Sequence, residues 1–209
     1  MKKTALLLGV LLFLAGCSQA PTGKDLYGYS FDSAKISYQI SGSSKGTSDV
    51  LIKNDKKVIK NQIVQTALDG STNNINTTVI QNGGMIYSLD NSTKTGTALT
   101  NPLYAQLQKM SAADRQKKLL QEAVRTSDQD STDMPQPDGE KQIAGQTCQL
   151  YKTATGTVCL WENIPLENTV SLPEFGVNLT TVASTIDLNP SIDDQEFGLP
   201  SDYKVTELK

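Results

Sequence analysis

The sequence predicts a mainly β chain with some α (α+β), built on an antiparallel sheet. Three observations carry this. Apolar residues alternate with polar ones at period 2 in several runs between residues 34 and 90. Turn signals, NDKK at 54–57 and NGG at 82–84, separate those runs. A single stretch, 111–125, repeats its apolar residues at helical spacing instead. Period 2 lines one face of a strand, whereas a period near 3.6 stripes one side of a helix.

The chain opens with Lys2 and Lys3, then an apolar run from Ala5 to Ala15 broken only by Gly9. The run is shorter than the ~20 residues that a helix needs to cross a hydrocarbon core of ~30 Å. A basic start, a short apolar middle and small residues at the end make residues 1–16 a secretory signal peptide. Leu14-Ala15-Gly16-Cys17 resembles the bacterial lipobox. That resemblance implies that Cys17 carries fatty chains of the palmitate type and becomes the mature N-terminus. One acyl chain alone holds a protein only marginally, while two or three make attachment stable. The cysteine is followed by Ser18 rather than Asp, which by analogy with Gram-negative sorting points to the outer membrane, facing the periplasm. Residues 17–33 then read as the lipidated cysteine and a polar tether, whose aromatic part (Tyr27, Tyr29, Phe31) can form a first edge strand. Residues 34–209 form the folded domain.

Composition narrows the function. The 209-residue chain has a formal charge of −3, and loss of Lys2 and Lys3 makes the mature part more acidic. An acidic balance argues against nucleic acid, which asks for a basic face. It also supplies no polybasic patch for anionic lipid headgroups. The chain contains no histidine. That removes Ser-His-Asp and Cys-His nucleophile systems and imidazole-based zinc sites. No pair of carboxylates stands out for acid–base work, so no enzyme activity, metal or cofactor is expected.

Along the domain, AKISYQIS places Ile36, Tyr38 and Ile40 on one face, and SDVLIKN places Val50 and Ile52 together. Asn54 and Asp55 suit the turn that follows. KVIKNQIVQTAL is a longer strand with apolar residues on both faces, and NINTTVIQ aligns Ile75, Thr77 and Val79. The NGG turn returns the chain through MIYSLD, with Met85, Tyr87 and Leu89 on one face. Asn101-Pro102 is a helix start with proline at the first helical position. Ser111 to Asp114 forms a second cap of capping-box type. Beyond it Leu119, Leu120, Ala123 and Val124 make a narrow apolar stripe. Residues 126–141 are a loop by composition. Its Asp128, Asp130 and Asp133 fail the EF-hand pattern, because Thr132, Asp133 and Gly139 stand at positions 5, 6 and 12, where a ligand, the glycine and the final glutamate belong. They read as a solvated acidic loop.

In GQTCQLYKTATGTVCLWENIPL two strand-like runs flank a Thr/Gly turn. If Lys152 pairs with Thr155, Cys148 lies directly opposite Cys159, at the ~4.5–5.5 Å between Cα atoms that a disulfide accepts. An exported chain with two cysteines besides the lipidated one joins them as a rule. A redox role would want C-x-x-C spacing, so the expected bond is structural.

GxxCxxY, GxxCLWxNIPL and the closing IDxNxxIDDxxFxLPxDY, across residues 143–203, resemble the lipoprotein-carrier superfamily with its LolA/LolB-like fold. The resemblance implies an antiparallel sheet curled into an unclosed half-barrel, with helices covering its mouth and an apolar cavity between. It also implies an acyl chain or other apolar ligand, which would suit lipid or lipoprotein handling. The cavity is expected among Tyr38, Ile40, Val50, Ile52, Val79, Met85, Tyr87, Leu119 and Leu120. Leu103 and Leu107 are the residues that would fill the space if the interior were ordinary core. The competing reading is a structural or interaction lipoprotein of the envelope with no small ligand, its protein partner unspecified.

Overall fold

The computed structural model describes residues 26–66, 70–124 and 134–208. Twelve strands form one sheet: β1 (Ser33–Gly42), β2 (Ser44–Lys53), β3 (Lys56–Thr66), β4 (Thr72–Asn82), β5 (Met85–Asp90), β6 (Thr95–Thr100), β7 (Gly139–Ile143), β8 (Gln146–Thr153), β9 (Gly156–Trp161), β10 (Ile164–Leu172), β11 (Val177–Leu188) and β12 (Lys204–Glu207). Their order in space is β12-β6-β5-β4-β3-β2-β1-β11-β10-β9-β8-β7. All neighbours are antiparallel except β12, which runs parallel to β6. The edges β12 and β7 do not pair with each other, so the sheet stays open, an unclosed half-barrel. Helices α1 (Pro102–Leu107) and α2 (Ala112–Ala123) lie between β6 and β7 in sequence.

The local signals act as their chemistry requires. Asn54 adopts a positive φ of 55° in the two-residue turn that pairs Lys53 with Lys56. Asn101 caps α1, its Oδ1 accepting from the Tyr104 amide at 3.2 Å, with Pro102 as first helical residue. Ser111 caps α2, its Oγ accepting from the Asp114 amide at 3.2 Å. These side chains satisfy amides that an α-helix start leaves without partners. No described helix is long and apolar enough to cross a membrane.

Curling is written into the side-chain neighbourhoods. Ile59 of β3 and Ile164 of β10 line one pocket, although β2, β1 and β11 lie between their strands. Neighbouring strands sit ~4.8 Å apart, so a flat sheet would hold these strands nearly 20 Å from each other. This face is therefore the inside of the curl. The register shifts between Ser37 and Tyr38 on β1 and between Pro165 and Glu167 on β10. Such bulges bend a strand and raise its twist. Both lie beside the pocket that the bend encloses.

Three sequence expectations are corrected. Met85 and Tyr87 are not on the inner face. The Gly83-Gly84 turn pairs Asn82 with Met85, Ile80 with Tyr87, and Gln81 with Ile86. Tyr87 thereby joins Leu51, Val58, Ile80, Leu89 and Phe197 in a second core on the outer face, and Ile86 points inward. The aromatic segment is not an edge strand. Leu26 and Tyr27 are helical, Gly28 turns at a φ of 72°, and β1 follows in the middle of the sheet. Cys148 is not directly opposite Cys159. A turn at Ala154-Thr155 pairs Thr153 with Gly156, which sets Leu150 against Cys159 and leaves Cys148 on the diagonal. The pair still meets at disulfide distance, with Cα atoms 5.4 Å apart and both side chains fully buried, because a twisted hairpin draws one set of diagonals together. The signal peptide, Cys17, Asp128, Asp130 and Asp133 lie outside the described residues.

Candidate functional site

The inner face is built in rows across the strands. One row runs Ile36, Val50, Ile59, Val79, and the next runs Ala34, Ile52, Lys57, Gln81, Ile86. A third begins with Tyr38 opposite Ser48. Most of these positions are apolar, as packing on a covered sheet face requires. Ser48 and Gln81 bring polar groups to these rows, and Lys57 is their one charged side chain. It sits directly across from Ile52, one pleat from Ile59, where the pattern calls for an apolar side chain.

Two depressions open on this face. The first, about 190 Å³, is walled by Tyr38, Val50, Ile52, Ile59 and Ile164, with Lys57 at one end. The second, about 240 Å³, lies under the helices between Tyr29, Ile86, Leu103 and Leu119. Ile52 and Lys57 belong to both, so this cross-strand pair forms the sill between them. Small-molecule sites are commonly ~300–1,000 Å³, mostly apolar, with a few placed polar groups. Neither depression reaches that range alone, but the two share a wall and lie end to end.

The polar groups on the sill and walls are unusual. The Lys57 side chain makes no ion pair or hydrogen bond with a described residue, and it is half-buried where it lines the two depressions. Burial holds its ammonium below the ordinary lysine pKa, because low-dielectric surroundings disfavour the charged form. The Tyr38 hydroxyl likewise has no described partner, and burial pushes its phenol well up. Tyr29, in the second depression, is raised mainly by burial and further by Tyr27, Tyr38 and Glu162. Tyr27 is pushed up to about 12, first by burial and then by the Asp55 carboxylate, and its hydroxyl accepts from Gln81 Nε2.

An aromatic column closes one side. Tyr27 stacks on Tyr29 at 5.8 Å, Tyr29 on Phe31 at 4.9 Å, and Phe31 on Trp161 at 5.6 Å between ring centroids. Leu26, Tyr27, Leu107 and Leu119 form the helical plug, with Leu103 and Tyr104 against it.

Of the residues expected to line a cavity, Tyr38, Val50 and Ile52 wall the first depression and Leu119 the second. Ile40 and Val79 occupy the inner face beyond the pocket walls, Ile40 opposite Gly46 and Thr181, Val79 opposite Ile59. Leu120 turns elsewhere. With Ala123 and Val124 it packs on Tyr151, Val158 and Leu160, on the face of the β8–β9 hairpin opposite the cysteines. Leu107 is fully buried in the plug, and Leu103 lines the second depression. Leu107 thus fills space, as expected of an ordinary core, whereas Leu103 borders a depression. Lys57, Ile59 and Ile164 escaped the sequence reading. A lysine at the pleat of Ile59 and Ile63 was the available signal for the first.

No family model matches the sequence, and no curated protein matches it. Among solved structures, an uncharacterized conserved protein from Thermus thermophilus matches with a TM-score of 0.52 at 7% identity, over 88% of this chain and 96% of that one. At that identity the likeness shows a shared fold and nothing further. MucB matches with a TM-score of 0.40 at 11% identity, over 87% of this chain. MucB in the Pseudomonas aeruginosa MucA/MucB complex gives 0.41 at 12% identity, over 89% of this chain. This chain spans about three-fifths of those MucB chains, 62% and 61%. Both are too distant to bear on function.

Proposed function

We propose that this protein is a lipid-anchored envelope binding module that holds an acyl chain or another apolar ligand on the inner face of its half-barrel. One observation carries the reading. Tyr38, Val50, Ile52, Ile59 and Ile164, drawn from four strands, surround a depression of about 190 Å³ that neither helix fills. Apolar surface on a concave face, with few polar groups, is the usual setting for a small apolar ligand. The unclosed half-barrel is also the architecture that the carrier-superfamily resemblance implies.

The anchor part of the proposal rests on Leu14-Ala15-Gly16-Cys17 at the end of the apolar run. It puts the domain on a tether at the outer membrane, facing the periplasm, in lipid or lipoprotein handling. Cys17→Ser is then expected to leave the signal unprocessed or the protein released from the membrane. Ordinary processing and membrane retention of that variant would contradict the anchor without touching the pocket.

Native mass spectrometry of gently purified mature domain, followed by lipid extraction, tests the pocket. A bound species of lipid mass supports the binding module. A bare domain that takes up no acyl ligand on addition favours the interaction lipoprotein.

A further inference from the structure

We propose that Lys57 is the head-group ligand of this pocket, so that the protein selects single-chain amphiphiles with an anionic head. This rests on the binding reading above and adds the chemistry of the ligand. The starting point is a cation in a costly place. A charged group taken from water without a partner destabilises a fold, and buried charges are ordinarily paired. Lys57 stands on the inner face between Ile52 and Gln81, with Ile59 one pleat away, and no described carboxylate pairs with it.

The charges around it define what is missing. Among the described residues that line the first depression none is acidic, and Lys57 is the one charged group. The second adds Asp55 and Lys56, both at the β2–β3 turn. Asp55 accepts from the Tyr104 hydroxyl at 3.0 Å, and Lys56 faces Asp194 at 3.5 Å. Lys53 is engaged too, at 3.2 Å from the same Asp194. Asp55 is thus held by a neutral hydroxyl that leaves its charge in place, Lys53 and Lys56 share Asp194, and no described carboxylate pairs with Lys57, whose ammonium is left to take a ligand anion as its partner.

Geometry assigns the two ends of that ligand. The chain lies among Val50, Ile52, Ile59 and Ile164. The head meets the Lys57 ammonium at the sill, where the depression passes toward the polar turn. Carboxylate and phosphate heads share the required chemistry: a negative oxygen accepting a charge-assisted hydrogen bond.

The test is calorimetric titration of the mature domain and of Lys57→Met with decanoate, decyl phosphate, decanol and decyltrimethylammonium. The wild type is expected to bind the better of the two anions at least tenfold more tightly than decanol, a difference of about 1.4 kcal/mol, and the cation least. Lys57→Met is expected to lose that ranking while retaining decanol. Whichever anion binds more tightly identifies the head as carboxylate or phosphate. Equal binding of anions and decanol by the wild type overturns the role of Lys57 and leaves the apolar pocket standing. Binding of none of the four overturns the pocket itself. A second readout does not depend on the variant folding. The Lys57 side-chain NMR resonance should titrate at higher pH with the anion bound than without it, and an unmoved titration overturns the proposal.

Discussion

Replacing both Cys148 and Cys159 with alanine is expected to lower stability by about 3 kcal/mol. The cross-link joins residues 11 apart in sequence. In the chain-entropy model, a loop of that size restricts the unfolded chain by somewhat under 10 cal/mol/K, which is about 3 kcal/mol at 25 °C. Both side chains are fully buried in the core with Ile36, Ile52, Ile164 and Leu166, so loss of two sulfurs adds a small packing cost. For a domain of this size each kcal/mol corresponds to ~2–4 °C, so the melting temperature should fall by roughly 6–12 °C. The assay is urea denaturation of oxidised wild type, reduced wild type and the double variant. Reduced wild type should lie near the variant, since both lack the cross-link. Free thiols in the oxidised protein, or a double variant within ~0.5 kcal/mol of wild type, would refute the reasoning.

Two further outcomes follow from the packing. Phe197 is 1% exposed among Leu51, Val58, Ile80 and Leu89, so Phe197→Ala should cost about 3–5 kcal/mol by denaturant melt; a cost under 1 kcal/mol would show that the segment after β11 does not pack there. Tyr27 is raised to about 12 in the folded state, against about 10 unfolded. The folded form therefore holds its proton longer, and the stability this contributes is present below pH 10 and lost as pH rises toward 12. Each such phenol adds a slope of at most about 1.4 kcal/mol per pH unit. Absorbance at alkaline pH should show Tyr27 ionising only as the fold opens; ionisation near pH 10 in intact protein would contradict the burial.

Much of the meander was legible because its alternation is clean. Ile36 and Tyr38 stand against Lys35, Ser37 and Gln39, and the turn at Asn54-Asp55 fixes the register that follows. Met85 and Tyr87 were misplaced where that contrast fails. Val79 and Ile80 are both apolar, as are Met85 and Ile86, so only the pairing across Gly83-Gly84 decides which face each takes. The cysteine register failed for a related reason. A Thr/Ala/Thr/Gly turn accommodates either pairing, and a two-residue slip keeps the same faces. The second wall of the pocket was beyond reach of local patterns. Ile164 and Thr181 meet the meander only through the pairing of β1 with β11, which joins Ile36 to Ile186. Lys57 went unnoticed because a lysine beside a turn reads as solvated surface until the curl places it inside.

The central claim is that the inner face holds an apolar ligand, and saturable binding of a fluorescent fatty acid by wild type and Val50→Trp tests it most directly. Val50 stands between Ile36 and Ile59 on the floor of the depression. An indole there should occupy the space a chain would take. The account predicts binding by the wild type, a loss of at least tenfold in the variant, and a stability within ~1 kcal/mol of wild type. No binding by the wild type, together with the ~1–3 kcal/mol destabilisation that overpacking a filled core produces, would contradict it.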